Sequence, residues 1–125
     1  VGTVVPKPYE LIFEERPGYL YACVKAQELS QAMAMSWIGE VADKCAATHC
    51  PRLLLERDVP TEPNSYALVA INDFVGLRDG PVAFVNRHDP IGEKLRTQVE
   101  AGAASGAMVA YFTDVETAEA WLLAN

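Results

Sequence analysis

Residues 52–56, RLLLE, set three leucines side by side in a run of strand length. Successive side chains of a strand point to opposite faces, so an unbroken apolar run is typical of a strand covered on both. VAFVN, residues 82–86, has the same character. Two such strands need helices to cover them, and the rest of the chain supplies the periodicity.

YELIF (9–13) and YLYACV (19–24) are short, aromatic and branched, and RPG lies between them, which predicts a hairpin with a longer turn. Ser30 stands where a helix cap would, and Ala34, Trp37, Ile38, Val41, Ala42 and Cys45 then recur at helical spacing until Cys50 and Pro51. This stripe is expected on the sheet. Met33 and Met35, out of phase with it, are expected as peripheral core filler.

A second helical stretch runs from Ser65 to about Arg78 and stops at Asp79-Gly80-Pro81. Asp89-Pro90 opens a third, with Ile91, Leu95 and Val99 as its stripe. AMVAYF forms a last strand, and Thr113 with Glu116 has the spacing of a capping box for a final helix that turns Ala118 and Leu122 inward. The alternation predicts an α/β layer fold with a mixed, largely parallel five-stranded sheet and about four helices. Residues 1–125 are expected to form one domain with one core.

Charge and cysteine content narrow the functional classes. A formal net charge of −7, with basic residues scattered singly from Lys7 to Arg96, leaves no continuous footprint for a phosphate backbone, so nucleic acid is not an expected partner. No stretch approaches the roughly 18 apolar residues of a membrane span, and VGTVVPKPYE is not of signal-peptide type. Three cysteines, an odd and sparse set, favour a reducing compartment. A cytoplasmic location is the expectation.

The segments RPGYLYACVKAQELS, CPRLLLERD, VAFVNRHD and GAMVAYFTDVETAEAWL resemble the SpoIIAA-like branch of the STAS superfamily, related in shape to CRAL-TRIO lipid-transfer domains. The resemblance runs from about Tyr9 to Leu123 and is most recognisable at the ending, Tyr111-Phe112, Asp114 and Ala118 to Leu122. It implies a non-enzymatic domain that binds a protein partner, as anti-sigma-factor antagonists do, or a small apolar or nucleotide-like ligand. It also implies a phosphate-accepting serine where the strand RLLLE runs into the next helix. Ser65 falls in that place, preceded by Asn64 and a PTEP insertion.

The residues themselves give Ser65 a simpler role, because Asn64 or Ser65 can cap the helix that follows. Phosphate at a helix start is electrostatically favourable, whereas Glu56, Asp58 and Glu62 repel it. Both readings stand. The stretch 66–77, YALVAINDFVGL, carries Leu68, Ile71 and Val75 on one face and Tyr66, Val69, Ala70 and Leu77 on another. A helix apolar on two sides is usually buried on two sides. The second side is therefore a candidate contact for a protein partner, a second copy in a homodimer, an apolar small molecule, or a neighbouring helix of the same domain.

His88 and Asp89 follow a strand's carboxyl end and precede a helix, where open α/β sheets place ligands. Arg87 and His88 can meet an anion there; alternatively Asp89 caps the helix and Arg87 is solvated. An enzyme using His88, Asp89 or a cysteine is the contrasting reading, with no convergent acid, base and nucleophile set around it. No glycine-rich phosphate loop occurs, and no cofactor is expected. Cys45, His49 and Cys50 form a C-x-x-x-H-C cluster short of a tetrahedral zinc set, so Cys45 is expected in the core and His49 exposed, with no metal bound.

Overall fold

In the computed structural model the described residues are 9–27, 31–49, 51–60, 80–88 and 93–125. They form β1 (Glu10–Arg16), β2 (Tyr19–Lys25), α1 (Gln31–Thr48), β3 (Leu53–Asp58), β4 (Val82–Asn86), α2 (Glu93–Ala104), β5 (Val109–Phe112) and α3 (Val115–Leu123). The strands make one sheet in the order β1-β2-β3-β4-β5. The first pair is antiparallel and the other three are parallel. The chain is thus α/β with a five-stranded mixed sheet. Three helices lie among the described residues, and the helical stretch expected over 65–78 falls outside them.

β1 and β2 are joined by Pro17 and Gly18 alone, since Arg16 pairs directly with Tyr19. The expected longer turn is therefore corrected to a two-residue one. Proline sets the first torsion, and Gly18 takes φ of 86°, which a side chain would resist. RPG signals a turn in either case, and the strand extends three residues beyond Phe13 to meet it.

Both faces of the sheet are buried, as the apolar run of β3 requires. On one face Leu20, Ala22, Val24, Leu53, Leu55, Val82, Phe84 and Val109 pack against Trp37, Ile38, Val41 and Cys45 of α1 and Val99 of α2. Met33 is packed at the margin of this cluster. Crossovers between parallel neighbours share one hand, so stepping steadily across the sheet sets α1 and α2 on the same side. On the other face Tyr19, Tyr21, Cys23, Leu54, Ala83 and Val85 meet Ala118 and Leu122 of α3.

The final helix starts one residue later than the capping-box spacing suggests. Asp114, not Thr113, is its N-cap, and Asp114 Oδ1 accepts the Thr117 backbone N–H at 2.8 Å. Aspartate satisfies the free first-turn amide with a charged acceptor, which favours it over a threonine hydroxyl one residue earlier. Trp121 packs its ring 5.8 Å from that of Phe112, closing the end of this cluster. At the entry to β4, Gly80 has φ of 121°, and a Cβ there would lie 2.1 Å from the Pro51 carbonyl oxygen.

Leu122 is fully buried whereas its neighbour Leu123 is exposed. Leu122→Ala should lower the unfolding free energy by about 2–5 kcal/mol. Leu123→Ala should change it by less than about 0.5 kcal/mol, and urea denaturation of the two variants checks the assignment of the α3 face.

Candidate functional site

The carboxyl ends of the parallel strands gather most of the polar chemistry among the described residues. Leu54, Glu56 and Asp58 alternate along β3, so they share the face that carries Tyr21 and Cys23. Glu56 is 1 % exposed despite its charge. Arg87, just beyond β4, reaches back to it, with Nε 2.6 Å from Oε2 and the guanidinium NH2 group 3.2 Å from Oε1. Tyr21 donates its hydroxyl to Oε1 as well.

These bonds decide the charge states. Burial opposes ionisation of Glu56, but the hydrogen bonds from Arg87 and Tyr21 outweigh it and hold the carboxyl below the usual range. The bond to Glu56 in turn raises the Arg87 guanidinium. Burial, and then the bond to Glu56, push the Tyr21 phenol up. Burial likewise raises the Cys23 thiol, which leaves a protonated, unreactive group. On the opposite face Arg57 is 2 % exposed, and burial pushes its guanidinium down to about 10 while its NH1 group donates to the Val59 carbonyl at 3.1 Å.

His88 lies at the rim of this network. Asn86 is completely buried and its side chain shapes the turn, accepting the His88 N–H at 3.3 Å and donating to the His88 carbonyl at 3.4 Å. The turn sets His88 Nε2 2.9 Å from Asp58 Oδ1. Arg87 NH1 is 3.7 Å from the other Asp58 oxygen. With Nε2 engaged, Nδ1 is the ring nitrogen left for a further contact.

Backbone bonds extend the ladders to this edge, from Ala26 N to Asp58 O at 3.3 Å and from Arg87 N to Arg57 O at 3.3 Å. They frame a cleft of about 560 Å³ lined by Tyr9, Glu10, Lys25, Ala26, Gln27, Asp58, Pro60 and His88. Tyr9 is anchored to α1 through its hydroxyl, which bonds Ser36 at 2.9 Å and donates to Glu40. A smaller recess of about 390 Å³ lies beyond β5 between Arg96, Tyr111 and Asp114. Its Asp114 is occupied in capping α3.

Of the residues singled out in the sequence, His88 stands in this cleft. Ser65, Tyr66, Val69, Ala70, Leu77 and Asp89 lie outside the described residues. Arg87 is not simply solvated, because it holds the buried Glu56. Cys45 is buried and His49 exposed, as expected, while Cys50 lies outside the described residues. No group of three or more His, Cys, Asp or Glu side chains among the described residues is arranged to hold a metal ion. No helix among them is long and apolar enough to cross a membrane.

Sequence reasoning missed Glu56, Asp58, Glu10 and Lys25 as site residues. Glu56 ends an apolar run and, taken alone, only repels a phosphate at Ser65. The available signal was the alternation that puts Glu56 two residues beyond Leu54, on a face already counted as covered. Compared with known proteins, the chain matches no protein-family model and no curated protein.

Removing Arg87 strands a buried carboxylate, so Arg87→Ala should cost about 2 kcal/mol of stability at neutral pH. The ordinary glutamate value is about 4.3 and the folded one is lower, so the stability from Glu56 is complete above about pH 4.3 and fades as pH falls through the depressed value. The stability gap between the parent and Glu56→Gln, read from urea midpoints at pH 7 and pH 3, should therefore narrow in acid.

Proposed function

We propose that the chain is a non-catalytic binding or regulatory domain of SpoIIAA-like type that engages its ligand or partner at the carboxyl end of the sheet. The observation that carries the reading is the cleft at the ends of β2, β3 and β4, with His88 held on its rim by Asn86 and Asp58. Open α/β sheets bind ligands outside the carboxyl ends of their strands, because loops there are free to vary over a rigid frame. A volume of about 560 Å³ is within the range of small-molecule sites.

The groups with the strongest chemistry near the cleft are already turned toward each other. Glu56 is matched by Arg87 and Tyr21, and Asp58 by His88. A frame of satisfied charges supports recognition by shape and fixed polarity over a turnover in which protons move. The mixed polar lining also favours a polar ligand or partner surface over a lipid-like one. The apolar contact read on Tyr66, Val69, Ala70 and Leu77 belongs to the same proposal, since that stretch follows the β3 end that carries Asp58.

Gln27 is exposed and lines the cleft, so Gln27→Trp would fill it without disturbing the core. In native mass spectrometry of protein purified gently from its own host, the parent should carry a small molecule or partner that denaturation releases. Gln27→Trp should emerge bare with an unchanged circular dichroism spectrum. A bare parent, or a variant that keeps the same cargo in the same proportion, would contradict the proposal.

A further inference from the structure

The cleft's charges are arranged as a row across the strands. Glu10 of β1 pairs in register with Lys25 of β2, and Lys25 with Asp58 of β3. All three line the cleft, and His88 follows at the end of the row on Asp58. Neighbouring strands are about 4.8 Å apart, so the signs alternate at that interval.

The members of the row differ in what already holds them. Asp58 is taken by His88 at 2.9 Å and approached by Arg87 at 3.7 Å. Arg87 is in turn held by Glu56. Lys25 and Glu10 make no ion pair with any described residue. One cation and one anion thus face the same cleft from directly paired positions, whose Cβ atoms are about 4.5–5.5 Å apart in an antiparallel pair.

Adjacent opposite charges cancel at a distance, so a simple anion or cation gains little from this edge. A ligand carrying both signs gains at each end. Ala26, Pro60 and Tyr9 complete the lining of the cleft, Tyr9 and Ala26 from the α1 side of the sheet. Resting on the reading of this cleft as the binding site, we propose that it takes a small zwitterion of the free amino-acid class. The carboxylate of the ligand meets Lys25, its ammonium meets Glu10, and its side chain lies toward Ala26 and Pro60.

The test titrates the ¹⁵N-labelled chain with each of the common L-amino acids, and then with the N-acetyl and carboxamide derivatives of any that bind. Acetate and ethylammonium serve as single-charge controls. At least one amino acid should move the amides of Ala26, Gln27 and His88. Each derivative should bind at least about tenfold more weakly, as should the parent ligand to Lys25→Gln and to Glu10→Gln.

Both substitutions are at strand ends outside the core, and unchanged spectra away from the cleft would verify their folding. Derivatives that bind as well as the free amino acid, or a response to acetate or ethylammonium alone, would overturn the zwitterion while leaving the cleft as a binding site. Silence from every probe would also overturn it. The cargo comparison with Gln27→Trp decides separately whether the cleft binds anything at all.

Discussion

A strand with leucine on both faces cannot be left wet on either, and β3 imposes that condition on everything around it. Leu53 and Leu55 fill one side and Leu54 the other, so α1 and α2 must cover the first and α3 the second. Parallel neighbours on each side of β3 follow, because only a crossover returns the chain in the same direction with a covering element. The same geometry brings the carboxyl ends of β2, β3 and β4 together at one edge. The cleft is therefore a consequence of how the core is covered.

Glu56 is where core and edge meet. It continues the Leu54 side of β3 into the interior, and a bare carboxylate there would be too costly to remain ionised. Arg87 and Tyr21 make it tolerable by donating to both of its oxygens, and the arginine then extends to Asp58 and the rim. A buried ion pair of this kind is weak evidence for net stability, but it anchors Arg87, whose guanidinium also lies 3.7 Å from Asp58, a residue that lines the cleft. Losing either partner should thus disturb the site as well as the fold.

Much of this architecture was legible in local patterns. Continuous apolar runs identified β3 and β4, the helical stripe of Trp37, Ile38, Val41 and Cys45 identified the buried side of α1, and Ala118 with Leu122 identified that of α3. The errors came where two neighbouring residues offered similar chemistry. Thr113 and Asp114 both suit a cap, and only backbone geometry chose the aspartate; RPG fits a long turn as well as a tight one until the register of Arg16 and Tyr19 is known.

The site was less legible because its residues come from four separate stretches of chain. Glu10, Lys25, Asp58 and His88 are ordinary charged or polar residues taken singly, and only strand register sets them in a row. His88 was accessible to sequence reasoning because it follows a buried strand and precedes a helix signal. The account stands most directly on where ligand contact occurs. Amide-resolved NMR of the labelled chain, with and without a small-molecule extract of its host, measures this. Perturbations gathered at Lys25 to Gln27, Asp58 and His88 are predicted; perturbations gathered instead at the opposite end of the sheet, around Gly18, Arg52 and Gly106, would contradict it.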